Sequence, residues 1–592
     1  MAKCLIESSV LLIPVLTIAE TLALIKKYIC CTQEITPILI LIVFNIIKPM
    51  FKKKLLILST IIFITGCSNN DIEKKIIDGK TYYIIDSKED LIWLSNPNLF
   101  LKFDTSSSQN KLDDEDKLRF KWSANYLQTN NIDLKTKKEE NTLGFTPIGS
   151  KRIPFSGTYN GKGYSISNLY INRPEQDQIG LFSALENCTL DSINLVNISI
   201  TGKTSVGGLA GKDHKSLISN SHVNGTLKSE DFFLGGLIGE KKSGKITYSS
   251  FKGKLEANKS YVGGLVGDLQ EAIITNSNSI GEVIGWRNIG GIAGRNSGDY
   301  DYDNGSSQNE IGPGSINNCF SSATIKGKRE IGGIVGQSSI GSIFYCYFNG
   351  SVFGNYATGG IIGNDTSSLV FNCYNSGSIN CTEEYAGGIV GEMRDIYHEY
   401  DSFIDLTYST GNIKGKKFVG GIVGSIKGNI NNSYATGDVI GEKNVGGVVG
   451  ELNFNGLISN TSAIGKITGK ENVGGIAGVI SGMLEFSEND EVFFKTLANE
   501  LKNSLGNVGA QVTTKSAGNK SYAIVKNCYW NKLLTNQNSG IGKIRYSKNN
   551  KRFINGTKSL TKANFLKEVS SLKALGYKYE ALYLEIEKKC KY

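Results

Sequence analysis

Asp299, Asp301 and Asp303 alternate along one stretch, and Glu310 follows eleven positions after Asp299. Carboxylates at positions 1, 3, 5 and 12 of a loop suit calcium, a hard cation that takes oxygen ligands. Asn304 stands at position 6, where such loops usually carry Gly, and Asn also tolerates positive φ. A solvated acidic loop is the simpler reading of the same residues. A second polar group, Glu392, Asp395, His398, Glu399, Asp401 and Asp405, has one His among carboxylates, too little to specify a metal. Cys319, Cys346, Cys373 and Cys528 share one slot, which Ser221, Ser249, Ser277, Ser433, Thr407 and Thr461 fill elsewhere. Exchange of Cys with Ser and Thr describes a small buried stacking position, since metal ligation needs converging ligands rather than a column. Disulfides between neighbours in such a column are disfavoured by parallel side-chain directions. The chain has three His (His214, His222, His398), and H-E-x-x-H and G-x-S-x-G are both absent. No proteolytic or esterase chemistry is written here.

The elements that would position these residues follow from one phrase. VGGLAG at Val206–Gly211 returns as LGGLIG at Leu234, VGGLVG at Val262, IGGIAG at Ile289, IGGIVG at Ile331 and TGGIIG at Thr358. It continues as AGGIVG at Ala386, VGGIVG at Val419, VGGVVG at Val445 and VGGIAG at Val473. Starts are 26 to 28 residues apart except for gaps of 42 and 33, and these longer gaps carry the two acidic groups above. A fixed period of this size marks a solenoid, in which each unit buries its apolar face against its neighbours. Three short β-branched runs per period, separated by Gly and Asn, predict three strands per coil of a parallel β-helix. About eleven coils at ~4.8 Å give a rod about 50 Å long, expected to be right-handed, with short capping helices.

Within the repeat the glycine pairs are expected to supply positive φ or close approach of stacked backbones. Asn220, Asn276, Asn318, Asn372, Asn432, Asn460 and Asn527 are expected at left-handed corners. Strict alternation would place the hexapeptide aliphatics on both faces unless the Gly-Gly pair bends the strand, and the sequence leaves that open. The slot after the cysteines collects Phe320, Tyr347, Tyr374, Tyr408, Tyr434 and Tyr529, read as a packing ladder in preference to a sugar platform.

The hexapeptides closely resemble the GLUG motif of bacterial surface proteins, over roughly residues 179–480. That resemblance implies a β-helical, exported protein and no single activity. Upstream, Lys52, Lys53 and Lys54 precede an apolar Leu55–Ile64 run, the plan of an export signal beginning at Met50. Ile64-Thr65-Gly66-Cys67 resembles a bacterial lipobox, which implies diacylation of Cys67 and a stable membrane anchor. Residues 1–49 are expected to lie upstream of the true start, or else to be transmembrane. The expected layout is then 50–67 signal, 68–80 tether, 81–178 N-terminal cap and first irregular coils, and 179–480 repeat rod. A helical insertion at 481–526 and a last coil with a C-terminal cap at 527–592 complete it. Ser87 is expected to cap a short helix, and Asp104–Lys117 to be a solvated loop.

A net charge of +10 spread over 592 residues is weak evidence for nucleic acid, and no nucleic-acid partner is expected. The reading is a non-catalytic, lipid-anchored, surface-facing rod, adhesin-like, that binds host or community glycans or surface proteins. It requires no cofactor, with calcium at Asp299, Asp301, Asp303 and Glu310 as an option. A β-helical polysaccharide lyase or hydrolase using dispersed Asp, Lys and Arg, or a periplasmic scaffold, are the alternatives.

Overall fold

The computed structural model describes residues 72–99, 113–135, 143–298, 314–394, 402–453, 456–481 and short stretches between 524 and 560. Cys67 with the signal, residues 68–71 of the expected tether, the Asp299–Glu310 loop, residues 482–523 of the expected insertion, Asn527 and the chain after 560 lie outside the described residues. Within the rest of the expected tether, Lys74–Ile77 is a strand paired antiparallel with Lys80–Ile85.

Residues 72 onward form one unit in which parallel strands stack coil on coil. One wall is a fifteen-stranded sheet, a second has twelve strands, and a third is a parallel ladder that turns a corner. The middle of the rod shows the register: Leu217↔Lys245, His222↔Ser250, Leu234↔Val262 and Ile238↔Val266 are all pairs exactly one coil apart in sequence position. This is the β-solenoid that the period predicts. The acidic insertions leave the ladder intact, because Ile273 still pairs with Ser315 and Leu369 with Phe403 across them.

The hexapeptides bend. Val206, Leu209 and Ala210 are all fully buried, and so are their counterparts Val262, Leu265 and Val266. The bend resolves the alternation problem and puts both aliphatic clusters into one core. None of the hexapeptide glycines has positive φ, so close approach is the reason they are glycine. A Cβ on Gly333 would collide with the Gly360 carbonyl of the next coil and with the Phe348 ring. A Cβ on Gly239 would press on the backbone of Ser205 and Val206, one coil back.

Positive φ sits at three other corners, one of them the run Lys215, Ser243, Glu271, Ile340 and Ser367. The six described Asn corners, Asn220, Asn276, Asn318, Asn372, Asn432 and Asn460, have φ between 44° and 51°. Tyr248, Tyr345 and Leu406 fill the same slot in the same conformation. After this corner comes the small buried column. The Ser221 N–H donates to Ser249 Oγ (3.2 Å), and the Ser249 N–H donates to Ser277 Oγ (3.1 Å). Each hydroxyl in turn donates to a carbonyl of its own coil, as from Ser249 Oγ to Thr247 O at 2.8 Å. A buried N–H without a partner costs about 1–3 kcal/mol, which explains the hydroxyls.

The N-terminal end is closed by two short helices among the described residues. α1 (Lys88–Ser95) begins at Ser87, whose side chain and that of Asp90 form a reciprocal capping box. α2 (Asp114–Trp122) begins inside the stretch expected to be a loop. Asp113 caps it at 2.8 Å from the Asp116 N–H, with three acids in its first turn and Arg119 and Lys121 in its last. Charges arranged along the helix dipole, rather than an apolar stripe, make this helix. The Lys121 ammonium is fully buried and donates to the carbonyls of Trp93 (2.6 Å), Asn96 (2.9 Å) and Leu99 (2.8 Å), pinning α1 to α2.

Candidate ligand-binding face

The residue directly before each hexapeptide forms another of these left-handed corners. Its occupants include Phe233, Tyr261, Asn288, Glu330, Tyr385, Phe418, Asn444 and Asn472, with φ from 55° to 67°. Left-handed backbone costs a non-Gly residue on the order of 1–2 kcal/mol. Large side chains therefore persist here against a local cost, and each meets its neighbour along the rod. The Phe233 and Tyr261 rings stack with centroids 5.1 Å apart, and Tyr385 and Phe418 stack at 5.0 Å. Asn472 Nδ2 donates to Asn444 Oδ1 at 2.6 Å.

Outward-facing columns on either side add guanidinium groups held on carboxylates. Arg295 grips Asp268 in a two-pronged pair (2.7 and 2.6 Å) and lies 5.1 Å from the Tyr261 ring centre. Arg287 grips Glu330 in the same way (2.6 and 2.8 Å), and Asn288 bridges Glu330 and Gln337. Arg394 binds Glu392 at 2.6 Å and the Tyr356 hydroxyl at 3.0 Å. Arg329 lies over the Tyr356 ring at 4.3 Å, and Tyr356 meets Tyr385 edge-on at 5.0 Å. Lys417 pairs with Glu384 and covers Phe418.

The carboxylates lie beneath and the cations above. Asp268, Glu330 and Glu392 keep side-chain exposures of 1%, 5% and 8%, whereas Arg295, Arg287 and Arg394 keep 31%, 43% and 44%. Burial pushes the Glu392 carboxyl up, opposed by Arg394. The hydrogen bond to Glu392 raises Arg394 in return. Burial also raises the Tyr356 and Tyr385 phenols. The face thus offers aromatic rings and fixed guanidinium forks that stay charged and phenols that stay protonated. Those are recognition groups: Tyr and Arg dominate binding hot spots, and two-pronged Arg is suited to planar oxyanions.

The other aromatic column runs on a different outer wall. Phe320 and Tyr347 stack at 4.9 Å and 9°, Tyr374 and Tyr408 at 4.3 Å, and Tyr408 and Tyr434 at 5.0 Å and 9°. Parallel rings this close cannot lie side by side in one plane, so their faces cover one another. The column is a packing ladder.

Cys319, Cys346 and Cys373 stand in consecutive coils of the small column, with Cys528 further along, and all four are buried. The Cys346 thiol donates to the Phe344 carbonyl at 3.2 Å as the serines do, and burial with its neighbouring thiols raises it far above the ordinary range. Among the described residues no group of three or more His, Cys, Asp or Glu is placed to hold a metal. Glu392 and Asp405, from the second acidic group, are both buried in separate strands and do not converge on one site. His222 Nδ1 lies 2.8 Å from Ser250 Oγ, a pair of outward side chains in adjacent coils.

The sequence expectations centre on the hexapeptide and not on the residue before it. That position reads S, F, Y, N, E, A, Y, F, N, N down the repeats, and its outsized side chains were the available signal. Of the carboxylates beneath the arginines, Asp268 and Glu330 meet theirs from neighbouring coils, which sequence spacing hides, whereas Glu392 and Arg394 lie two residues apart in one strand.

No family model matches the chain. A segment of 111 residues is 34% identical to halomucin of Haloquadratum walsbyi, covering 18% of this chain and 1% of that protein. A segment of 87 residues is 34% identical to a provisionally named Gly-rich membrane protein of Evansella cellulosilytica, covering 14% of this chain and 10% of that protein. The chain therefore spans only a small part of either relative. A crystal structure of a provisionally assigned immunoglobulin A1 protease from Bacteroides ovatus aligns over 84% of this chain and 88% of its own, at 12% identity and a TM-score of 0.22. A superposition that loose carries no argument about this chain.

Proposed function

We propose that this chain is an exported, lipid-anchored rod of the bacterial cell envelope, of the GLUG-repeat kind, that binds glycan or protein ligands without chemistry of its own. The observation that carries the reading is the stripe of rings and guanidinium groups from Phe233 to Phe418. Large residues are kept there at a strained corner, and their charged partners are held rigid by buried carboxylates. Rigid aromatic and Arg groups lose little entropy on binding, which is what a recognition surface needs. An envelope location draws support from the signal and lipobox ending at Cys67 and from the likeness of one segment to a protein named as a Gly-rich membrane protein. Among the described residues no helix is long and apolar enough to cross a membrane, and in this reading Cys67 supplies the attachment.

The test has two parts. Protease treatment of intact cells of the source organism, followed with an antibody to residues 81–592, should remove the rod without lysis. Full protection would sink the surface reading. The purified rod should then retain ligands from an array of glycans and envelope proteins, and Tyr385→Ala with Arg394→Ala should abolish that retention while leaving the circular dichroism unchanged. Retention equal to the parent protein would remove this face from the proposal. Calcium enters only through Asp299, Asp301, Asp303 and Glu310, and calorimetric titration with calcium checks it.

A further inference from the structure

Inside the rod one column of the twelve-stranded sheet runs Leu185, Asp213, Lys241, Leu269 in successive coils. Asp213 and Lys241 are both fully buried, and Lys241 Nζ is in close contact with Asp213 Oδ2. Nζ also donates to the Ser216 carbonyl at 3.0 Å, which fixes the amine against the carboxyl. Asp213 Oδ1 has no hydrogen-bond partner. The other lysine ion pairs described here keep at least 33% of the lysine side chain exposed. This pair is different in kind. A buried ion pair gains little or nothing over well-packed aliphatics, and Leu185 and Leu269 show that the column accepts Leu on both sides. An orphan oxygen on a buried carboxylate adds to the cost.

We propose that Lys241 and Asp213 become joined by an intramolecular isopeptide bond that links adjacent coils of the rod. Proton transfer along the Nζ–Oδ2 contact turns ammonium and carboxylate into amine and carboxylic acid, removing two charges from a dry core at once. The amine lone pair then attacks Asp213 Cγ. The N–Cγ bond forms, the Cγ–O bond breaks, a proton from nitrogen goes to the departing hydroxyl, and one water leaves. Nothing is oxidised or reduced and no co-reactant is needed. The product amide keeps one N–H, which the Ser216 carbonyl is placed to accept, and its oxygen is the only polar atom left to satisfy. The closed loop spans 28 residues, so the bond would staple the rod near its N-terminal end. This inference stands independently of the ligand-binding role.

The experiment is mass spectrometry of tryptic peptides from the purified, folded full chain. A linked protein gives a branched peptide joining 213–215 to 229–242, about 18 Da lighter than the two free peptides together, with no cleavage after Lys241. Asp213→Asn should give the same branched product by loss of ammonia, about 17 Da below its own free peptides. The Asp213→Leu/Lys241→Met pair, which suits the aliphatic column, should give none. Recovery of the free peptides alone from the folded parent protein would overturn the proposal and leave a buried ion pair. The parent protein decides the question even if a variant does not fold.

Discussion

Asp365 lies in the same inward column as Asp213 and Lys241, three coils after Leu269 by way of Asn296 and Ser338. It is fully buried, and burial pushes its carboxyl from 3.8 up to about 6, with the Ser368 and Ser402 hydroxyls opposing only part of the shift. A carboxyl raised on folding contributes its stability below the unfolded value, and that stability is lost as pH rises through the folded value. Two units at ~1.4 kcal/mol each make ionised Asp365 a burden of about 3 kcal/mol at neutral pH. Of this, linkage returns about 2 kcal/mol by pH 4.5. Asp365→Asn removes the charge at similar shape, though its amide N–H groups need acceptors and an orphan would cost about 1–3 kcal/mol. We therefore expect the variant to be more stable than the parent by up to about 2 kcal/mol at pH 7.5, with the gain gone or reversed at pH 4.5. Repeat arrays need not unfold in one step, so the local measure is hydrogen exchange at Ile362, Asn364 and Thr366, corrected for intrinsic rates. Subtracting variant from parent cancels Glu392 and Asp405, which burial also raises. A difference that stays constant from pH 4.5 to 7.5, or favours the variant more in acid, would refute the reasoning.

Three further outcomes are expected. Gly333→Ala, with its Cβ driven into the Gly360 carbonyl and the Phe348 ring, should destabilise the rod by several kcal/mol, on the order of a severe core overpacking; soluble yield and thermal midpoint report it. Ser249→Ala strands the Ser221 N–H that Ser249 Oγ accepts and should cost about 1–3 kcal/mol in denaturant unfolding, while Ser249→Cys should cost less, because thiols occupy the same column at Cys319, Cys346 and Cys373. Lys121→Met removes the ammonium that three carbonyls share and should free α1 from α2, seen as faster proteolysis within residues 88–122 than in the rod.

The coils were legible because period, strand length and glycine spacing all point to one architecture. The Asn corners were legible for the same reason: a residue type that tolerates positive φ recurs at a fixed place, and all six described examples adopt it. The sense of each residue was not. Whether a side chain points in or out depends on the bend at the Gly-Gly pair, and the sequence does not give that angle. So Asp213 and Lys241 read as ordinary polar residues beside Lys212 and Glu240, and Asp365 beside Asn364, although Asp213, Lys241 and Asp365 are all in the inward column. α2 was missed because its signal is a charge gradient of low amplitude rather than a stripe.

The corner before the hexapeptide explains why the binding face lies where it does. The hexapeptide's glycines are needed for contact with the neighbouring backbones, so they cannot also take up the positive φ of the turn. That conformation falls on the preceding residue, which no such contact requires to be Gly. Where the corner side chain is large and half-buried, as at Phe233, Tyr261 and Tyr385, stacking with its neighbour at about 5 Å offsets part of the strain. The strongest stacks are aromatic, and the flanking outward columns can reach them with Arg and Lys. A row of fixed rings and cations thus arises where the fold needs a turn that the hexapeptide's own glycines cannot supply. Replacing Tyr385 by Asn, the residue used at Asn444 and Asn472, should therefore leave the coil folded while removing the ring. Loss of ligand retention with unchanged stability would separate the two roles of the corner, and a drop in stability of more than about 2 kcal/mol would show that the ring is there for the fold.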